Sequence, residues 1–318
     1  MSYTLVTGAA GFIGSNLCSK LLNNGEKVIG IDNFLLGTQQ NIENIYSLKK
    51  DFIFYEHDLS NESANDSLIE KLKNFEEINC IWHLAANSDI RGYEDGFNVD
   101  FNNTFLTTVN IGKIIETIGI KKLIFSSSSA IFGTVSKPIS ENFGPVLPES
   151  YYGAMKLASE AYISAIATYF LDNYIIFRFP NVIGSDVTHG VIYDFKKKLE
   201  KNPKIMEVLG DGSQKKPYLY IDDLIDGMLY IESKSYKNEI FNLSPLDDGI
   251  TVKEIAEIAI QTLSPNTVPN YGRTPQGWPG DVVNYSYQTN KMESSGWIPS
   301  CSSLEAVKKS FGTSSLEK

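Results

Sequence analysis

Ser150-Tyr-Tyr-Gly-Ala-Met-Lys156 sets Tyr152 and Lys156 four residues apart. On a helix, that spacing raises both side chains from one face, one turn apart. A phenol titrating near ~10 is a poor base at neutral pH. An ammonium one turn away favours the phenolate, so the pair becomes a usable proton acceptor. Tyr and Lys also fall four apart on many helices that do no chemistry, so the rest of the chain has to supply what such a base would serve.

A second chemical element lies at the start. Tyr3-Thr-Leu-Val-Thr7 reads as a strand, Gly8-Ala-Ala-Gly-Phe-Ile-Gly14 as a turn, and the stretch through Leu22 as a helix closed by Asn24-Gly25. Strand, glycine turn and helix in that order make an anion site, because backbone N–H groups and the positive helix end face a pyrophosphate. Gly8 allows the tight turn, Gly11 the close approach of backbone to phosphate, and Gly14 the packing of helix on strand. A second strand, Lys27-Val-Ile-Gly-Ile-Asp32, ends in an acid at the distance expected for a ribose contact. Its carboxylate accepts from the ribose 2′ and 3′ hydroxyls and repels a 2′-phosphate. No Lys or Arg lies between Asp32 and Thr38 to welcome that phosphate, so NAD is expected rather than NADP.

These residues need a scaffold. Further strands are expected at Phe52–His57, Cys80–Leu84 and Lys122–Ser126, with helices at about Glu62–Lys73, Phe97–Thr117 and Tyr151–Leu171. Alternating strands and helices imply a doubly wound parallel sheet with ligands at the carboxyl ends of its strands, where Asp58, Ala85 and Ala86 fall. His83 sits within an apolar strand and reads as a packed core histidine. Thr251 with Glu254 three residues later is a capping box that opens a structural helix. Lys196-Lys-Lys198 reads as a solvated face and Trp297 as core, and residues after Gly312 as a frayed tail.

The 318 residues, 42% hydrophobic, suffice for one large α/β domain and a smaller one. A formal net charge of −10 argues against a nucleic-acid partner. No apolar run reaches the length of a membrane span, and no basic segment with an apolar stretch precedes the first strand, so neither anchor nor leader is expected. Cys18, Cys80 and Cys301 have neither disulfide-like nor metal-like spacing, which fits a reducing cytoplasm and no metal site.

The strand ending at Ser126 continues as Ser-Ser-Ser-Ala-Ile-Phe-Gly133. With Thr7–Gly14, His83-Leu-Ala-Ala86 and the Tyr152/Lys156 pair, it resembles the extended short-chain dehydrogenase/reductase family, and within it the nucleotide-sugar epimerases and dehydratases. Arg178-Phe-Pro-Asn-Val-Ile-Gly184, His189–Phe195, Gly210-Asp-Gly-Ser-Gln-Lys-Lys216, Tyr220-Ile-Asp-Asp223, Gly277-Trp-Pro-Gly-Asp281 and Gly296-Trp-Ile-Pro299 extend the resemblance over nearly the whole chain. It implies a Rossmann-type NAD domain over about 1–178 and a smaller C-terminal α/β domain for a nucleotide sugar over about 179–318. Some later segments are expected to return to the sheet. It also implies a homodimer or higher homo-oligomer formed through the two helices beginning at Phe97 and Tyr151.

By the same resemblance, Ser128 binds the reacting hydroxyl, with Ser129 beside the substrate. Lys156 holds the nicotinamide ribose as well as tuning Tyr152. Further cofactor contacts fall to Phe12, Ile13, Asn33, Asp58, Leu59, Leu84 and Asn103. Phe132 replaces a usual tyrosine. Substrate contacts fall to Asn181, Gly190, Val191, Tyr218 and a phosphate-binding cation. Lys216 or Lys215 fills that last role, or Arg273, because Gln276 stands where relatives often carry Arg. The implied reaction begins with oxidation at C4 of the sugar. Ser129 and Ala130 replace the Asp-Glu pair of dehydratases, and Ala130 the Glu of decarboxylases. A 4-epimerase is therefore the first expectation and a 4-dehydrogenase the alternative. UDP-hexoses and GDP-linked heptoses are the sugars considered. A non-catalytic NAD sensor on the same fold commonly lacks the Tyr-Lys pair kept here.

Overall fold

Segments such as Thr4-Leu-Val6 and Val28-Ile-Gly-Ile31 are apolar without alternation, the pattern of strands covered on both faces. The computed structural model describes residues 2–48, 51–89, 96–278 and 280–312. In chain order its elements are β1 (Tyr3–Thr7), α1 (Phe12–Asn23), β2 (Lys27–Asp32), α2 (Gln39–Leu48), β3 (Phe52–Glu56), α3 (Glu62–Leu72), β4 (Ile78–His83), α4 (Phe97–Asp100), α5 (Thr107–Ile118), β5 (Lys122–Ser128), α6 (Tyr151–Ala167) and β6 (Asn173–Phe179). Then follow β7 (Asn181–Ile183), α7 (Val191–Lys201), β8 (Ile205–Val208), β9 (Lys215–Lys216), β10 (Tyr218–Tyr220), α8 (Ile221–Glu232), β11 (Glu239–Asn242), β12 (Ile250–Thr251), α9 (Val252–Leu263), β13 (Val268–Tyr271), α10 (Asn290–Ser294) and α11 (Ser303–Ser310). The tail expected to fray after Gly312 lies outside the described residues.

Two compact units share the chain. The first takes Met1–Ile131, Ser150–Arg178 and Glu232–Phe241; the second takes Phe132–Glu149, Phe179–Ile231 and Asn242–Lys318. Residues 132–149, placed by the sequence in the first region, thus group with the second.

The first unit is built on a seven-stranded sheet of order β11-β6-β5-β4-β1-β2-β3. β2 pairs parallel with β1 and β3, and β4 with β1 and β5. The order reverses at β1, so a ligand crevice forms beyond the carboxyl ends of β1 and β4. Leu5, Ile29, Ile81, Leu123 and Phe125 from the sheet pack with Ile111, Ile114, Ile115 and Ile163 from α5 and α6. On α1, Gly14, Leu17, Cys18, Leu21 and Leu22 are buried, the spacing of one helical face.

The stretch from Phe97 is not one regular helix. A π-helical turn, Phe101–Leu106, separates α4 from α5. The Thr107 and Thr108 hydroxyls both donate to the Thr104 carbonyl, at 2.9 and 3.1 Å, and compete with its place in the helical ladder. Such turns are rare and occur often at functional sites.

α6 starts sharply, because the Ser150 hydroxyl accepts the Gly153 N–H at 3.1 Å. It stops at Ala167 rather than Leu171. Its last turn tightens through Thr168 N–H to Ala165 O and Tyr169 N–H to Ile166 O, and the Lys121 carbonyl then takes the Asp172 and Asn173 N–H groups. Its buried face carries three polar side chains, Lys156, Ser159 and Glu160. Glu160 is held by Arg178 of β6, Nε to Oε1 at 2.9 Å and Nη2 to Oε2 at 2.6 Å, with both side chains 6% exposed.

The second unit contains three small strand pairs, β7–β10 and β8–β13 parallel and β9–β12 antiparallel. The Thr251/Glu254 capping box opens α9 as its residues imply.

Breaking the Arg178–Glu160 fork should leave a buried, unpaired carboxylate. Arg178→Met is expected to destabilise folding by about 3–5 kcal/mol, and Arg178→Met with Glu160→Leu to recover most of that, measured by denaturant unfolding.

Candidate active site

The glycine turn closes through Gly11 N–H to Gly8 O at 3.1 Å, and α1 begins at once. Gly8 has φ +72, and a Cβ on Gly14 would lie 2.0 Å from the Gly8 carbonyl oxygen. No side chain caps α1 at Gly11, so the first-turn N–H groups of Phe12, Ile13 and Gly14 are left for an anion. Asp32, at the end of β2, fixes the turn from the side. Its Oδ2 accepts from Ala10 N–H at 3.0 Å and its Oδ1 from Phe34 N–H at 2.8 Å. Burial pushes the Asp32 carboxyl above the usual carboxylate range, opposed by the N–H groups of Phe34 and Ala10. The Asn33 and Gly11 N–H groups also lower it, and ribose hydroxyls would add further donors to a desolvated carboxylate.

The other expected cofactor residues divide by what they expose. Asn33 is exposed, its Oδ1 accepting from Leu35 N–H at 3.0 Å. Asp58 is half-buried and turned onto Ser60, whose N–H and hydroxyl both donate to Oδ1. Leu59 could meet a cofactor only through its main chain. Its side chain is 4% exposed within the hydrophobic core and its carbonyl accepts from Asn110 Nδ2 at 2.7 Å, so its free contribution is the main-chain N–H. Leu84, Ala85 and Ala86 are half-buried at the end of β4. Asn103 is half-buried in the π turn.

β5 runs two residues beyond Ser126, so Ser128 is its last residue and Ser129 begins a short 3-10 turn. Ser128 Oγ accepts from Ala130 N–H at 3.1 Å and is hydrogen-bonded to the Tyr152 phenol. Lys156 is 1% exposed. Its Nζ donates to the Ser126 carbonyl at 2.6 Å and lies 4.6 Å from the Phe125 ring centroid and 5.8 Å from that of Tyr152. Burial lowers Lys156 to about 7, opposed by the Glu160 carboxylate. Burial of its phenol end pushes Tyr152 up; the Ser128 hydroxyl pulls it down and the Asp100 carboxylate pushes it up further. Asp100 was not legible as part of this site. It is buried, and Asn87 Nδ2 donates to its Oδ1 at 3.0 Å.

Ser128, Tyr152 and Lys156 thus converge at the end of β5, and residues 4–244 match the family described as "NAD dependent epimerase/dehydratase family". The chain belongs to that family. A putative UDP-glucose 4-epimerase of Methanocaldococcus jannaschii is 30% identical over 311 residues, covering 96% of each chain. The structure of the Thermotoga maritima UDP-glucose 4-epimerase with UDP-glucose superposes with a TM-score of 0.85 at 28% identity, covering 98% of each chain. That of Bacillus cereus UDP-glucuronic acid 4-epimerase with UDP-glucuronic acid and NAD also gives 0.85, at 25% identity and the same coverage. The chain is therefore an enzyme of the extended short-chain dehydrogenase/reductase type, and its cofactor is NAD. The uncapped helix end and the desolvated Asp32 fit that dinucleotide.

The expected substrate residues lie in the second unit. Asn181 is exposed and hydrogen-bonded to Tyr218, whose ring is 4% exposed. Gly190, with φ +86, precedes α7, which Val191 opens half-buried. Lys216, a candidate for the substrate phosphate, is paired within the fold. Its Nζ meets Asp281 Oδ1 at 2.5 Å, with the side chains 12% and 1% exposed, and lies 5.3 Å from the Trp278 ring. Lys215 and Arg273 are exposed. Among the described residues no helix is long and apolar enough to cross a membrane, and no His/Cys/Asp/Glu group could hold a metal ion. Cys18, Cys80 and Cys301 are buried and not disulfide-bonded.

Lys156 is protonated in the unfolded chain up to about 10.4, but in the fold only up to about 7. Its burial penalty therefore applies in full below pH 7 and fades as pH rises towards ~10.4. Lys156→Met is expected to raise the melting temperature at pH 6 more than at pH 10, while abolishing turnover; paired thermal scans read the difference.

Proposed function

We propose that this chain inverts the C4 centre of a nucleotide-linked sugar, with a UDP-hexose as the first candidate. The observation that carries this reading is the meeting of Ser128, Tyr152 and Lys156 at the carboxyl end of β5 and the first turns of α6. The relatives' names point to the same chemistry. NAD supplies the hydride acceptor when bound to the first-turn N–H groups of α1, Asp32 and the ends of β4. Tyr152, as tyrosinate, takes the C4 hydroxyl proton. Ser128 holds the C4 oxygen, and Lys156 favours the tyrosinate and is assigned to the cofactor ribose. Tyr152 then returns the proton once the 4-keto sugar presents its other face. Ser129 and Ala130 offer no acid for proton transfer at C5 or C6, which favours epimerisation over dehydration. Asn181, Gly190, Val191 and Tyr218 are assigned to the nucleotide. With Lys216 already paired, Lys215 and Arg273 are the cations left for the diphosphate.

A homodimer fits the same reading. Phe97, Tyr151 and Phe101 are 57%, 50% and 39% exposed along α4, the π turn and the start of α6. Light scattering should give the mass of two chains, and Phe97→Glu with Phe101→Glu the mass of one.

The central test incubates the protein with UDP-, GDP-, dTDP- and CDP-sugars, following the sugar by proton NMR and reduced nicotinamide by absorbance. C4 inversion without accumulating NADH is expected. Tyr152→Phe should keep NAD binding and lose at least ~100-fold in turnover. NADH accumulating with a 4-keto sugar would replace the epimerase reading by the dehydrogenase one. NAD binding without turnover of any sugar would replace both by a sensor.

A further inference from the structure

His83 is 0% exposed on β4, yet both ring nitrogens are engaged. Thr7 Oγ1 of β1 accepts the Ala85 N–H at 3.2 Å and shares the Leu84 N–H, also 3.2 Å away, with the Thr7 carbonyl at 3.3 Å. Its own hydroxyl hydrogen is then free for His83 Nδ1, 2.8 Å away. Nδ1 is therefore an acceptor, and the single hydrogen of the neutral ring sits on Nε2. Nε2–H donates to Thr108 Oγ1 of α5 at 3.1 Å. The Thr108 hydroxyl hydrogen is shared between Ser159 Oγ of α6 at 3.0 Å and the Thr104 carbonyl at 3.1 Å, and Ser159 donates to the Met155 carbonyl at 2.9 Å.

This path has one end on each half of the site. Leu84 and Ala85 border the glycine turn, where a Cβ on Gly8 would lie 2.9 Å from Ala85 N. Met155 immediately precedes Lys156 on α6. Leu84 and Ala85 follow β4 and Lys156 lies on α6, and the path through one imidazole ties the two places together.

We propose that His83 is a positioning residue that holds the dinucleotide-binding turn in register with the turn of α6 bearing Lys156, through a ring fixed as the neutral Nε2–H tautomer. The proposal rests on the reading of Tyr152 and Lys156 as the reacting pair. A doubly protonated ring would present an N–H to Thr7 and lose that acceptor. It would also set a second cation beside the first. The groups facing the ring are Thr7 from β1, Thr108 from α5, the Phe125 ring of β5 at 5.7 Å, and Lys156 from α6, the charged one among them. Burial, and then the Lys156 charge, lower His83 to about 3.

The chain has three histidines, so 15N-histidine labelling reads the ring directly. On the NAD-bound protein, one ring should remain in the neutral Nε2–H form from pH 5 to pH 9, and that signal should vanish in His83→Gln. Two substitutions then cut the path on opposite sides. Asn at this position keeps an acceptor near the Nδ1 place and loses the reach to Thr108. Gln reaches Thr108 and loses the Thr7 acceptor. Calorimetry should find NAD affinity about five- to tenfold weaker in His83→Gln, the scale of one net hydrogen bond, and within twofold of the parent in His83→Asn. His83→Asn should instead lower turnover at saturating NAD by a similar factor. A His83 ring that titrates near ~6.5, or rests as the Nδ1–H tautomer, overturns the proposal. So does a pair of variants that melt earlier but bind NAD and turn over alike. The NMR and calorimetry need no sugar, so a failed epimerase assay would leave both measurements standing.

Discussion

A lysine ammonium kept almost wholly out of water constrains everything around it. In the proposed reaction Lys156 serves Tyr152 as a cation, while burial disfavours the charge. The fold offsets that cost with an array rather than a single counter-ion. The Ser126 carbonyl accepts from Nζ, the Phe125 face lies beneath it, and the Glu160 carboxylate stands one turn along α6. Glu160 is itself a buried charge and is kept by the fork of Arg178 from the next strand. Interior polar positions on α6 and β6 thus serve to hold one charge in place.

The same logic runs through the dinucleotide end. Asp32 is desolvated, and its two oxygens are tied to Ala10 and Phe34, so it shapes the glycine turn by itself. A carboxylate already ordered by the backbone loses little freedom when a diol binds it. Tyr152 is poised between opposing influences, drawn down by Ser128 and pushed up by Asp100. The positive charge of a neighbouring group is what tips such a phenol towards the base form.

Much of this was legible in the residues. The glycine turn, Asp32 and the strand ends follow local rules of backbone and burial, and those rules act over a few residues. Ser128, Tyr152 and Lys156 were legible through spacing and resemblance. What escaped depends on groups distant in sequence. The π turn coincides with two threonine hydroxyls on one carbonyl, which helical periodicity does not encode. Leu59 is drawn into the core by partners such as Ile111 and Ile114, far along the chain. The pairing of Lys216 escaped because Asp281, its partner, is equally remote in sequence. Asp100 joins the site only because α4 returns it there.

The Gly14 contact has a further consequence for how such a chain can change. A first side-chain carbon there would fall 2.0 Å from a carbonyl oxygen of the preceding turn, far inside van der Waals contact. Every missense change of a glycine codon adds that carbon. The position therefore has no neutral neighbour in mutational space, and adaptation to a new ligand must route around the turn, through residues whose side chains still have somewhere to go.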